Sequence, residues 1–186
     1  MSIVIIDHDD IIERELALVR DRVGADFPGY RNHVYRVLTY ALHFLGRAQQ
    51  WRAPIAFALA HHDVGLWTDR ALAYLEPSEH HAELARQARA PALDAQLVRD
   101  LIHWHHKITP FRGPNAEVVN AVRKADWVDA SGGRVSKGLS RKQIVTVMTA
   151  LPPLGFYETL MRLPGELNRG RTLGGLAVMA AHVFKA

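Results

Sequence analysis

Apolar residues recur along this chain at helical spacing, and no stretch sustains the strict alternation of a strand. Ile11, Ile12, Leu16, Leu18, Val19 and Val23, with acids ahead of them and Gly24 behind, predict a helix over 7–24. Asp26-Phe27-Pro28-Gly29 reads as a turn. The stripe Val34, Val37, Leu38, Ala41, Leu42 and Leu45 predicts a second helix over 30–48. A mostly apolar run, Pro54 to Ala60, predicts a buried third helix over 53–66, which Gly65 lets exit where a side chain would obstruct. Ser78 is a candidate N-cap for 79–90. Leu93, Leu97, Val98, Leu101 and Ile102 mark 92–107. After the loop Thr109 to Pro114, Asn115 is a candidate cap for 116–130, which Ser131-Gly132-Gly133-Arg134 ends.

The last third predicts two or three more helices. Ser140 caps 141–150, Leu151-Pro152-Pro153 breaks it, Gly155 to Leu163 is short and amphipathic, and 171–185 is apolar and Gly-containing. The expected class is therefore all-α, a helical bundle in a single domain, 1–186, with its chemistry in about 30–130 and the helices of 140–186 packed against it.

Composition narrows the chemistry. The chain has 186 residues, 48% hydrophobic and 23% charged, with no cysteine and eleven histidines. Disulfides, zinc-thiolate sites, iron–sulfur clusters and cysteine nucleophiles are excluded, so a metal must be held by His, Asp and Glu. Net charge is +4 and the basic residues are scattered, so no nucleic-acid partner is expected. The N-terminus lacks a basic, long-apolar leader and no run is long enough to span a membrane, so the expected location is cytoplasmic. Trp51 and the C-terminal helix are candidate dimer faces, with nothing that fixes an oligomeric state.

Most of the histidines fall between His33 and His106, and four residues sit where polar groups need partners. His33 lies on or beside the apolar stripe of its helix, with Val37 one turn on. His62-Asp63 ends the buried third helix. Asp126 lies on the apolar face of 116–130, one turn after Val122. Each is either hydrogen-bonded in the core or a metal ligand, since imidazole and carboxylate together suit a divalent ion. Asp129 reads as an exposed or helix-end group. His80 and His81 open a helix and are expected to be solvated more readily than to face a site. His103, His105 and His106 end another helix, where the helix dipole favours basic groups, although that reason covers three histidines poorly.

Taken in order, His33, then His62-Asp63, then Asp126, each from a separate predicted helix, resembles the H…HD…D pattern of the HD-domain superfamily of metal-dependent phosphohydrolases. The neighbouring text His61-His62-Asp63-Val64-Gly65-Leu66-Trp67, His105-His106-Lys107 and Arg123-Lys124-Ala125-Asp126-Trp127-Val128-Asp129 is similar to small stand-alone bacterial members. Leu66 stands where the cyclic-dinucleotide phosphodiesterase branch has Lys, and Leu66-Trp67 where the alarmone hydrolases have Glu-Asp, so neither substrate class carries over.

The resemblance implies a divalent metal (Mn, Fe, Co, Ni, Zn or Mg) held by His33, His62, Asp63 and Asp126. It also implies hydrolysis of a phosphoester of a small molecule such as a nucleotide. Lys107 with Arg31, Arg36 or Arg112 would then offset the phosphate charge, and His105 and His106 would donate a proton, steer substrate or bind a second metal. Two alternatives stay open: a di-iron oxygenase or metal-dependent lyase or hydratase on the same fold, and a non-catalytic helical sensor with a structural metal.

Overall fold

A computed structural model describes residues 2–184, all of whose regular structure is helical. Met1, Lys185 and Ala186 lie outside the described residues, and with them residue 185 of the expected last helix.

Helix α1 (Asp10–Val23) starts on Asp9, whose carboxylate accepts from the Ile11 and Ile12 amides, and stops at Gly24, which takes a positive φ of 61°. Helix α2 (Phe27–Phe44) is the axis of the fold, buried along almost its whole length and packed against α1 and several later helices. It begins earlier than its apolar stripe suggests. Pro28 falls in the first turn, where no intrahelical amide donor is needed, so Asp26-Phe27-Pro28-Gly29 enters the helix and is not a separate turn.

Helix α3 (Arg52–His61) is apolar on all sides and buried from Pro54 onward, as a central helix must be. It stops at His61. Gly65–Thr68 forms a separate one-turn helix, α4. A Cβ at Gly65 would lie 2.6 Å from the Tyr74 carbonyl oxygen, so the exit does require glycine.

Helix α5 (Leu75–Arg89) starts ahead of the expected cap. Ser78 lies inside it, buried, and its hydroxyl accepts from the Gly65 amide at 3.0 Å. Helices α6 (Ala95–Trp104), α7 (Ala116–Ala130) and α8 (Arg141–Ala150) follow near their expected bounds. Ser140 and Gln143 form a capping box on α8, whereas Asn115 precedes α7 with φ 60° and caps nothing with its side chain. Helices α9 (Phe156–Leu167) and α10 (Thr172–Val183) pack on each other.

One large core is built on α2, α3, α6 and α7. A small separate cluster, Leu66, Tyr74, Leu75, Leu163 and Val183, fastens the α9–α10 pair. Among the described residues no helix is long and apolar enough to cross a membrane.

Candidate metal centre

Four elements deliver polar side chains to one buried point. His33 comes from α2 and Asp126 from α7, both on faces turned into the core. His62 and Asp63 follow the end of α3, and His105 and His106 follow the end of α6.

The two helix ends use the same device. His62 Nδ1 lies 2.6 Å from the Leu59 carbonyl and His105 Nδ1 lies 2.5 Å from the Ile102 carbonyl. A carbonyl oxygen only accepts, so each Nδ1 carries the hydrogen and each neutral ring presents a bare Nε2. His33 is fixed likewise: its Nδ1 donates to Asp129 Oδ2 at 2.6 Å. Asp129 is in turn gripped by Arg36 through Nε to Oδ1 at 2.5 Å and Nη2 to Oδ2 at 2.9 Å.

The three Nε2 atoms converge on two carboxylates. His33 Nε2 and His62 Nε2 are 3.0 Å apart. His33 Nε2 lies 3.4 Å from Asp126 Oδ1 and 3.7 Å from Asp63 Oδ2. His62 Nε2 lies 3.2 Å from Asp63 Oδ2, and His105 Nε2 lies 3.3 Å from Asp63 Oδ1. His106 Nδ1 is 2.6 Å from Asp126 Oδ2 without hydrogen-bond alignment. Two lone pairs facing each other at 3.0 Å repel unless a proton or a cation lies between them.

The carboxylates make the same demand. Asp63 Oδ1 and both oxygens of Asp126 are buried with no hydrogen-bond partner. Ionised oxygens left this way in a protein interior are costly, and the usual remedies are a cation or a proton.

Charge organises the cluster. Burial opposes ionisation of Asp63, yet His62 and His105 hold its carboxyl well below the usual carboxylate range. Burial opposes Asp126 too, and His106, His105 and His33 bring it down to about 2. Burial disfavours the cations of His62 and His106, but the neighbouring carboxylates outweigh it and raise both rings. His105 goes the other way, to about 4, through burial and the neighbouring His106.

The donor set fits a metal ion. His33, His62 and Asp126 offer atoms within 4.8 Å of one another, as do His62, Asp63 and His105, and His105, His106 and Asp126. Metal–ligand bonds of about 2.1 Å place neighbouring donor atoms roughly 3–3.5 Å apart, which the spacings here approach. Buried His and Asp groups therefore could hold a divalent ion, and the all-N/O set suits a first-row transition metal.

Of the residues expected at a site, His33, His62, Asp63, Asp126, His105 and His106 come together. The arginines do not. Arg31 pairs with Glu13 and the Asp7 carbonyl. Arg36 is fully buried and spends its donors on Asp129, Leu151 O and Pro152 O, so it positions a histidine and is closed to substrate. Arg112 is exposed in the α6–α7 loop beside Trp104 and Phe111. His80 is exposed, His81 pairs with Asp69 and His103 with Glu79. Lys107 is buried at 2% exposure, its ammonium donating to the His182 carbonyl at 3.4 Å.

Asp129 is the main reversal: it is fully buried and organises the centre, because a residue three positions after Asp126 shares its helix face. Three aromatic neighbours were not legible either. Tyr30 stacks on His62 at 5.9 Å, Phe156 stacks on His33 at 4.1 Å, and the Tyr74 hydroxyl approaches His105 Nε2 at 3.5 Å. Tyr30 lies one turn before His33 on the same face, a usable signal; Tyr74 and Phe156 arrive from distant segments with none. Set against family models, curated proteins and solved structures, the chain finds no match.

Proposed function

We propose that this protein is a metal-dependent phosphohydrolase of the HD-domain type, acting on a phosphoester of a small molecule. The observation that carries this reading is the set of orphaned oxygens on Asp63 and Asp126 facing three histidine Nε2 atoms. His33, His62, Asp63 and Asp126 would hold the ion. When bound, a divalent ion supplies polarisation of a phosphoryl oxygen and a coordinated water that ionises near neutral pH.

The chain's own residues do the rest. Asp129 and Arg36 hold His33 in the tautomer that leaves Nε2 free. Tyr30 and Phe156 wall two of the rings and keep bulk water out. Lys107 binds a phosphoryl oxygen, offsetting charge that would otherwise repel the attacking water. In the reaction the water oxygen bonds to phosphorus and the ester oxygen leaves with the electron pair of the broken bond. One water proton goes to a carboxylate oxygen of Asp63, and His106, which keeps some contact with solvent beside Asp126, passes a proton from its ring to the leaving oxygen.

Metal content per chain, measured on protein purified without added metal or chelator, tests this directly. One equivalent of a divalent metal, lost in His62→Ala and Asp126→Ala together with phosphoesterase turnover, is the expected result. Failure to take up Mn, Co, Ni, Zn or Mg would overturn it. A second reading has one observation in its favour: the three overlapping donor groups offer ligands for two ions. Two equivalents of iron with oxygen-dependent turnover would support an oxygenase instead.

A further inference from the structure

The candidate ligands are sealed. His33, His62, Asp63, His105 and Asp126 are buried at 0–3% exposure. Only the His106 side chain keeps some contact with solvent, at 15%. A substrate approaching this centre must therefore come past His106.

The end of α10 lies across that approach. The Phe184 ring sits 6.0 Å from the His106 ring and 5.7 Å from the Trp127 ring. The Phe184 carbonyl accepts from the Ile108 amide at 3.3 Å, and the His182 carbonyl accepts from the Lys107 ammonium at 3.4 Å. Beneath the same ring, the Trp127 indole nitrogen is buried with no hydrogen-bond partner. An ammonium and an N–H with no hydrogen-bond partner thus both lie against this turn, on residues that directly follow His106 and Asp126 in the chain. The His182 carbonyl is one of the groups that the lysine meets.

The covering turn is held by the Val183 side chain, at 1% exposure, and by the carbonyl contacts of His182 and Phe184. Of α10 only Gly175 and Val183 are buried, and Leu173 is 85% exposed. Gly175 ties the start of the helix closely to α9, since a Cβ there would lie 1.9 Å from the Pro164 carbonyl oxygen. Val183 belongs to the small satellite cluster and not to the main core. Gly175 and Val183 are thus the two points that hold α10, and displacing the turn over His106 requires drawing one apolar side chain out of a small cluster and breaking its carbonyl contacts, without opening the main core.

We propose that the last turn of α10, His182–Phe184, is a displaceable plug seated on an oxyanion subsite, with the His182 carbonyl holding Lys107 where a substrate phosphoryl oxygen binds. The proposal rests on the metallohydrolase reading. Exchange is favoured because a charged phosphoryl oxygen binds an ammonium more strongly than a neutral carbonyl does. Withdrawal of Phe184 also opens His106 and the Trp127 N–H.

The test uses the full chain loaded with Mn, inorganic phosphate as the probe, and calorimetry alongside metal analysis. Phe184→Ala should bind phosphate about fivefold or more tightly, because the binding-competent open state no longer has to be drawn from a small population. Adding Lys107→Met should erase that gain. In the unaltered chain, amides of the last α10 turn should lose hydrogen-exchange protection when phosphate binds, a readout that stands even if Phe184→Ala folds poorly. Full metal content with unchanged phosphate affinity in Phe184→Ala, or with unchanged protection in the unaltered chain, overturns the plug and leaves the hydrolase reading intact. Absence of metal in every form overturns both, and the metal measurement tells the two failures apart.

Discussion

His61 and His62 are consecutive, both buried, and point into two different charged clusters. His61 Nε2 faces Glu15 at 3.3 Å, and Glu15 also receives Arg14 at 2.9 Å and Arg89 at 2.6 Å. His62 faces Asp63 and Asp126, where no guanidinium arrives. Residue types overlap, since each cluster joins buried carboxylate to buried imidazole. The difference is that the Glu15 cluster contains its own permanent cations and satisfies both carboxylate oxygens, whereas the other leaves oxygens of Asp63 and Asp126 without partners. Asp129 follows the first pattern, closed by Arg36. Arginine cannot lose its charge, so a carboxylate it grips is finished structurally; a carboxylate met only by histidines remains open to a metal.

This contrast can be broken at several points, beginning with the strongest. Asp126→Asn should abolish metal retention and also lower the melting temperature of the metal-free protein, because burial opposes the Asp126 carboxylate but His106, His105 and His33 outweigh it and bring its pKa down to about 2, so the charge removed is a net stabilising one near neutral pH. Calorimetry of the apo form checks it, and an unchanged or higher melting temperature would mean that the histidines leave the Asp126 charge uncompensated. Asp129→Asn should weaken metal affinity by about 10–100-fold while leaving the ligands in place, the usual effect of loosening a partner that orients a ligating histidine. Competition with a fluorescent chelator measures this.

Glu15→Gln should have the opposite profile: full metal content and a loss of about 2 kcal/mol in denaturant unfolding, reduced from the fully buried case because Arg14 and Arg89 keep solvent contact. Its pH dependence follows from sign. Burial opposes the Glu15 carboxylate, but His61, Arg89 and Arg14 bring its pKa from 4.5 to about 2. The stabilisation it provides is therefore complete above about pH 4.5 and lost as pH falls toward about 2. The melting temperatures of the wild-type protein and Glu15→Gln should converge across that window; a gap that persists at its lower end would mean the cluster acts through packing. Smallest of all, His81→Ala removes an exposed pair with Asp69 and should cost less than about 0.5 kcal/mol, with metal content unchanged.

Much of the fold was legible because helical periodicity and caps are local. The spans of α7 and α8 match their expected bounds, and Ser140 caps as its type predicts. The misses are at helix boundaries: α3 stops at His61 short of the expected 66, α9 runs on to Leu167 past the expected Leu163, and two helices start early. Pro28 and Pro77 both sit in first turns, where a local reading takes proline for a break, and Ser78 serves Gly65 and caps no helix. At the site, His33, His62, Asp63 and Asp126 stood out because a polar group on an apolar face demands a partner. Arg31 and Arg36 are taken up elsewhere and Arg112 is not packed against the centre, because a long side chain's partner is set by what packs opposite it. Glu13 took the first and Asp129 the second, while the third faces solvent.

By itself, then, the order of residues determined the helical class, the absence of thiol chemistry and the four polar positions on buried faces, since each follows from composition or from a period of 3.6 residues. Only the tertiary structure decided which histidine meets which carboxylate. His61 and His62 differ by one position, a rotation of about 100° on a helix, and that turn alone sends one toward α1 and its arginine partners and the other toward α2 and α7. Partners so far apart in the chain are chosen by helix packing, and no local pattern encodes their meeting.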